Sequence, residues 1–377
     1  DPYNEILFNK SINNLKSKGY FSSVKTNIID GSNKDKKIID IEVNEKPTGE
    51  ISLAAGLGTS GASLGAGIRE NNFLGKGIRL NANVLFSENA FNGTFAYERP
   101  YFNNTDNTLV TSVRSTSTDN LKDYGYKTRN VGFSLGTAFE QYENLILRPT
   151  FDSNYEKLET TTTASSAIKK QHGSYFDTYF NYTLDYDLRD QRYQATEGTR
   201  TIFSQNIPTI SSNYELTNSI EHIIYKPLSE NMIGKLTIFG RTVNSLASDK
   251  DVRISKRLFV PSRKLRGFES GKIGPIENGD YIGGNYVSAI NLATTLPQFL
   301  SNLENTDVSL FIDAANAWGV DYEDSTITDN DTIRSSFGVS FDMSTIIGPL
   351  NFSFSQPITK ASSDKTESFR FNLGTTF

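Results

Sequence analysis

The chain carries few side chains able to make or break covalent bonds. It has two histidines, His172 and His222, and no cysteine. A thiolate nucleophile, a disulfide framework and a cysteine metal site are therefore outside its chemistry. His172 falls in a polar loop and His222 in a strand pattern, with no serine or carboxylate at the spacing a hydrolase triad needs. The acidic stretch 321–331 offers oxygen ligands for calcium, but it lacks the EF-hand pattern and reads as a solvated loop. No metal, no cofactor and no enzymatic reaction is expected. The chemistry that remains is electrostatic. Residues 249–281 form the longest connection, yet they carry Leu258-Phe259-Val260-Pro261, Lys264-Leu265-Arg266-Gly267-Phe268-Glu269 and Ile273-Gly274-Pro275-Ile276. A connection so long and so apolar packs against something, and Gly267 permits a tight turn with Arg266 at its tip. A buried guanidinium needs a carboxylate, and Asp313 has the parity to provide it from a strand. The alternative is a solvated Arg266 and an ordinary Asp313.

The elements that would position such a pair are strands. At the C-terminal end, Phe369, Phe371, Leu373, Thr375 and Phe377 fall on one side of a strand and Arg370, Asn372, Gly374 and Thr376 on the other, a period of two. A closing aromatic residue fits the girdle of a transmembrane β-barrel; the last strand of a soluble sandwich would show the same alternation. The 377 residues include 18 Tyr and 25 Phe. Mean hydropathy is -0.43, and no run approaches the ~18 apolar residues of a membrane helix. A barrel wall hides from such averages because lipid-facing and lumen-facing residues alternate. From Gly49 onward the spacing predicts strand and turn without helices, about sixteen strands in all, with compact turns on one rim and longer polar loops on the other. The net charge of -5 leaves no nucleic-acid footprint.

The two ends of this array differ. Residues 2–18 have helical apolar spacing, Gly19 fits a stop, and two strands follow at 21–28 and 37–43. This segment is too small to bury a full core by itself. The chain begins at Asp1 without a methionine or signal peptide and reads as part of a longer precursor. The first strand of the array, with Ile51, Leu53, Ala55, Gly56 and Leu57, and the next, at 62–68, are rich in Gly and Ala, which weakens strands. The terminal strand must pair with the first to close a cylinder. Either that seam opens sideways, or the small residues make room for the inserted loop.

Leu265-Arg266-Gly267-Phe268 followed by Ile273-Gly274-Pro275 resembles the arginine-glycine-phenylalanine loop motif of the barrel-assembly and polypeptide-transport superfamily. Gly283-Gly284-Asn285, Phe311-Ile312-Asp313-Ala314-Ala315-Asn316-Ala317-Trp318, and Gly348-Pro349-Leu350 with Ser355-Gln356-Pro357 are similar to further motifs of that superfamily. Glu98-Arg99-Pro100-Tyr101-Phe102, and Asp187-Leu188-Arg189-Asp190 with Thr196-Glu197-Gly198-Thr199-Arg200, look like its periplasmic turns. Residues 1–48 resemble the second half of its last polypeptide-transport-associated (POTRA) domain. The resemblance runs in order along the whole chain. It implies an all-β protein, a 16-stranded antiparallel transmembrane β-barrel over 49–377, preceded by a partial α+β POTRA domain over 1–48. Loop 249–281 would fold back into the lumen with Arg266 held by acids on neighbouring strands. Asp313 stands at one of those positions, and Ala293 stands where a second acid is common. The resemblance further implies a bacterial outer-membrane location, with the POTRA segment periplasmic and the long loops extracellular. The expected activity is folding and insertion of other outer-membrane proteins without ATP or cofactor, through a seam between the first strand and the strand carrying Phe369, Phe371, Leu373, Gly374 and Phe377. The expected partners are unfolded outer-membrane clients, accessory lipoproteins and the lipid bilayer, with no nucleic acid. A secretion translocator of the same superfamily is the near alternative, and a passive porin the alternative from another class.

Overall fold

Strict apolar alternation from Gly49 onward is resolved as one antiparallel sheet that closes on itself. The computed structural model describes residues 3–17, 19–32, 36–59, 61–121, 125–192, 194–296, 306–322, 326–345 and 348–373. Sixteen strands form the barrel. The first eight are β1 (Gly49–Gly58), β2 (Gly61–Phe73), β3 (Ile78–Ser87), β4 (Ala90–Arg99), β5 (Thr108–Asn120), β6 (Tyr126–Tyr142), β7 (Leu145–Thr160) and β8 (Gly173–Asp187). The others are β9 (Gly198–Ile210), β10 (Glu215–Ser229), β11 (Met232–Ser245), β12 (Tyr286–Thr295), β13 (Thr306–Trp318), β14 (Arg334–Thr345), β15 (Gly348–Thr359) and β16 (Phe369–Leu373). Each strand pairs with its successor and β16 returns to β1. Closure removes the free edges, which is what a hydrocarbon environment demands of a sheet.

The two faces part as the alternation requires. Leu310 and Ile312 on β13 are exposed outward, while Phe311 and Asp313, which alternate with them, are buried inward. On β1, Ile51 is 79% exposed and Leu53 84%. Side chains of that kind on a continuous outer band fit contact with lipid. Among the described residues no helix is long and apolar enough to cross a membrane.

Ahead of the barrel lie helix α1 (Glu5–Ser17) and a hairpin of Phe21–Asp30 with Lys37–Glu45, which forms its own two-stranded sheet. Ile12 is buried there, but Ile28, Ile29, Ile38, Ile39, Ile41 and Val43 stay exposed. One helix and one hairpin cover too little apolar surface to make a complete domain core.

Two expectations need correction. Helices do not vanish after Gly49: Ser166–Lys169 forms a short helix, α2, whose Ser165 hydroxyl accepts from the Ile168 N–H at 3.3 Å. Tertiary burial fixes it, because Ile168 packs with Ile254 and Ile282 and Ser165 donates to Glu277 at 2.8 Å. Nor is the acidic stretch 321–331 simply solvated. Ile327–Thr328 pairs with Ile276–Glu277, which pairs in turn with Asp280–Tyr281. Asp321 accepts from the Val252 N–H at 2.7 Å.

The closing joint is short among the described residues. Asn372 stands opposite Gly58 and Leu373 opposite Leu57, and the Thr59 N–H donates to the Phe371 carbonyl at 3.1 Å. On its other side β1 pairs with β2 along its whole length, from Gly49↔Glu70 to Gly58↔Gly61. Gly374 and Phe377 lie outside the described residues.

Candidate functional site

The loop between β11 and β12 enters the barrel because its own side chains leave water there. Val252, Leu258, Val260, Leu265, Phe268 and Ile273 form one buried cluster with the wall residues Val243, Val287, Ala289, Ala315 and Ala317. Alanines on β12 and β13 leave the width that the loop fills. Burying side chains as large as Leu265 and Phe268 contributes about 1.5–3 kcal/mol each.

Polar anchors fix the loop within this apolar packing. The structure brings Arg266 and Asp313 together. Arg266 Nε donates to Asp313 Oδ2 at 2.7 Å, Nη2 to Oδ1 at 2.8 Å, and the Arg266 backbone N–H to Oδ2 at 3.1 Å. This is a bidentate pair in which charge assists each bond. The guanidinium carbon also lies 3.3 Å from the Phe311 ring centroid. Gly267 sits at φ +89, and a Cβ there would stand 3.2 Å from both Ser336 Cβ and Ser355 Cβ. The Ser336 hydroxyl donates to the Arg266 carbonyl, so the tip touches β14 as well as β13.

The position facing Asp313 across the sheet is Asn291. Ala293 pairs with Phe311 and lines a cavity nearer the short turns, with Tyr225 and Lys235. Asn291 Nδ2 donates to Asp313 Oδ1 at 2.9 Å and to the Lys264 carbonyl at 2.7 Å. The amide therefore adds a donor to Asp313 and holds the loop directly. Arg266→Ala is expected to remove both side-chain bonds to Asp313, leave that buried carboxylate short of donors, and raise trypsin cleavage within 249–281. Its stability should fall by about 3 kcal/mol, read as an earlier loss of heat-modified mobility.

Gly283, Gly284 and Asn285 guide the loop back into β12. Leu258 and Gly284 form a two-bond bridge, Leu258 N–H to Gly284 O at 2.8 Å and Gly284 N–H to Leu258 O at 2.9 Å. The Asn285 carbonyl accepts from Val243, and its N–H donates to Gly319. A Cβ on Gly284 would stand 2.4 Å from the Trp318 carbonyl oxygen and 2.7 Å from its nitrogen. Backbone cannot swing aside, so Gly284→Ala should destabilise by about 1–3 kcal/mol, measured as a lower melting midpoint. Gly274 approaches Ala317, and the Pro275 carbonyl accepts from the Ile282 N–H at 3.0 Å.

A second anchor went unread in the sequence. Arg253 is fully buried and meets Glu156 on β7 at 3.1 Å, Asp177 on β8 at 2.5 Å and Glu215 on β10 at 2.8 Å. Its guanidinium carbon lies 4.5 Å from the Tyr175 ring centroid. Burial alone would lower the guanidinium's proton affinity, but bonds and charges from Glu215, then Glu156 and Asp177, raise it above the ordinary value. Arg253 thus stays charged. The available signal was three cations in five residues, Arg253, Lys256 and Arg257, opening an apolar loop. Arg257 pairs with Asp321 at 2.6 Å, and Arg334 with Asp364 at 2.9 Å, both fully buried.

The arrangement is a barrel whose lumen is occupied by a loop pinned at two separate places, to β13 and β14 through Arg266 and to β7, β8 and β10 through Arg253. Residues 72–377 match the family described as Omp85 superfamily domain. Over its full length the chain is 23% identical to the outer membrane protein assembly factor BamA of Neisseria meningitidis serogroup B, covering 53% of that protein. Over 95% of its length it is 22% identical to the BamA of Neorickettsia risticii, covering 49% of that protein. The chain spans about half the length of these curated relatives. Among solved structures, BamA from Haemophilus ducreyi lacking POTRA domains 1–3 superposes with a TM-score of 0.86 at 25% identity, over 98% of this chain and 78% of that one. CdiB from Acinetobacter baumannii shares the fold alone, with a TM-score of 0.57 at 10% identity over 96% of this chain and 67% of that one.

Proposed function

The chain belongs to the Omp85 superfamily and is BamA-like, and from that premise we propose that it folds and inserts other β-barrel proteins into the bacterial outer membrane. The observation that carries this reading is the joint between β16 and β1, paired at Asn372↔Gly58 and Leu373↔Leu57, beside a lumen closed by its own loop. An unfinished barrel in lipid carries strand edges whose N–H and C=O groups each cost several kcal/mol when unsatisfied. If β1 parts from β16, its backbone becomes a template on which a client's last strand pairs by β-augmentation. Main-chain bonding of this kind tolerates many client sequences. Aromatic girdle residues beside a narrowed apolar band would thin the bilayer locally and lower the barrier to insertion. The reaction needs no ATP, cofactor or covalent step, so the protein is not an enzyme in the usual sense.

On this reading residues 1–48 are the end of a periplasmic POTRA domain and the long loops are extracellular. The partners are unfolded outer-membrane proteins, accessory lipoproteins and the bilayer itself. The test is reconstitution into liposomes. An unfolded barrel client should become heat-modifiable faster when the protein is present. Equal rates with and without it would refute the proposal, and large steady conductance instead would point to a porin.

A further inference from the structure

We propose that Arg370 is a positioning residue through which the docked loop sets the closing strand, so that undocking of the loop and loosening of β16 are one event. The proposal rests on the seam reading above. Arg370 lies on β16 between Phe369 and Phe371, and its side chain turns inward. Nε and Nη2 hold Glu367 Oε2 at 2.9 and 2.7 Å. Nη1 donates to the Ser262 carbonyl at 2.9 Å, and Nη2 to the Phe268 carbonyl at 2.7 Å. One planar guanidinium therefore joins the closing strand to both flanks of the loop tip, a geometry that suits an arginine's fixed fork of donors.

The backbone makes the same connection independently. The Glu367 N–H donates to the Gly267 carbonyl at 3.1 Å, Glu269 to Lys365 at 3.0 Å, and Lys365 to Lys272 at 3.2 Å. Phe268 forms a bridge with Thr366. The loop tip thus lies as an added strand along residues 365–367, which lead straight into β16. β16 has β15 on one side, from Leu350↔Leu373 to Phe354↔Phe369, and on the other, among the described residues, the pairs Asn372↔Gly58 and Leu373↔Leu57 with β1. The loop supplies a third hold from within. Gly267 lies between Arg266, fixed to Asp313, and Phe268, whose carbonyl Arg370 holds. A change at Arg266 must therefore reach β16 without touching it.

Hydrogen–deuterium exchange on the intact protein in liposomes, without any client, tests this. Arg370→Ala should raise exchange over 369–373 about tenfold, the loss expected for charge-assisted hydrogen bonds. Arg266→Ala should raise exchange over the same residues as well as over 262–272, and the double variant should exceed neither single variant there. Arg200→Ala, which breaks the pair with Asp185 between β8 and β9, should leave 369–373 at the wild-type level. The proposal is overturned if Arg266→Ala exposes 262–272 while 369–373 exchanges as in the wild type, or if the two effects on 369–373 simply add. Should Arg370→Ala fail to insert, the Arg266→Ala result alone decides. Because no client is present, a failure of this coupling is distinct from a failure of the assembly reading.

Discussion

Replacing Arg253 with alanine is expected to destabilise the protein by about 3–5 kcal/mol, the range for removing one partner of a buried ion pair. Arg253 is fully buried, and its partners Glu156, Asp177 and Glu215 are 3%, 0% and 1% exposed. The substitution leaves three carboxylates facing one another with no cation between them. Asp177 keeps donors from the Ser211 hydroxyl at 2.7 Å and the Ser212 N–H at 3.2 Å. Glu215 instead loses both side-chain donors, Nε and Nη2, and keeps only the backbone N–H of residue 253 at 3.3 Å. Mutual repulsion then drives the walls apart where the loop enters. The expected readouts are a lower temperature for loss of heat-modified mobility and faster proteolysis within 249–281. Neutralising an acid in the same background, Arg253→Ala with Glu215→Gln, should recover part of the loss, since neighbouring charges do not contribute additively. Arg253→Lys keeps the charge but cannot reach three carboxylates at once, so it should fall between wild type and alanine. A wild-type melting temperature in Arg253→Ala would refute the anchor.

The contrast between the two anchors explains what the sequence could reveal. Arg266 was legible because its loop motif stood out and Asp313 had inward parity on a strand with clean alternation. The barrel itself was legible for the same reason: a wall between lipid and lumen imposes a period of two on every strand. Arg253 was not, because its partners come from three strands, β7, β8 and β10, which converge only after the sheet has curled. No local pattern marks Glu156, Asp177 and Glu215 as neighbours. Asn291 has no mark in the sequence as a partner of Asp313, because only the pairing of β12 with β13 sets the two opposite one another. Helix α2 and the pairing of Ile327–Thr328 were unreadable on similar grounds: both owe their order to tertiary burial and cross-loop bonds rather than to their own propensity. Arg370 stands on the polar side of the terminal strand in the alternation, but besides the nearby Glu367 its partners are carbonyls of the distant loop.

Locking the joint between β1 and β16 is expected to abolish assembly. The chain has no cysteine, so a pair introduced as Leu57→Cys and Leu373→Cys has no competing thiol, and the two positions are register partners. Once oxidised, the sulfurs are joined at about 2.05 Å and the strands cannot separate there. If β1 templates client strands, the crosslinked protein should accelerate client folding in liposomes no more than empty liposomes do, and reduction should restore the wild-type rate. A second pair, Ala55→Cys with Leu64→Cys across β1 and β2, controls for oxidation and for cysteines on β1. It locks a joint that the proposed cycle never opens and should leave the rate unchanged. The effect is all-or-none because no partial separation exposes a bonded edge: either the backbone of β1 becomes free or it does not. A verified crosslink at the seam with wild-type assembly would move the working edge elsewhere on the barrel. The small residues of β1 and β2 would then serve to make room for the inserted loop, the other reading they allow.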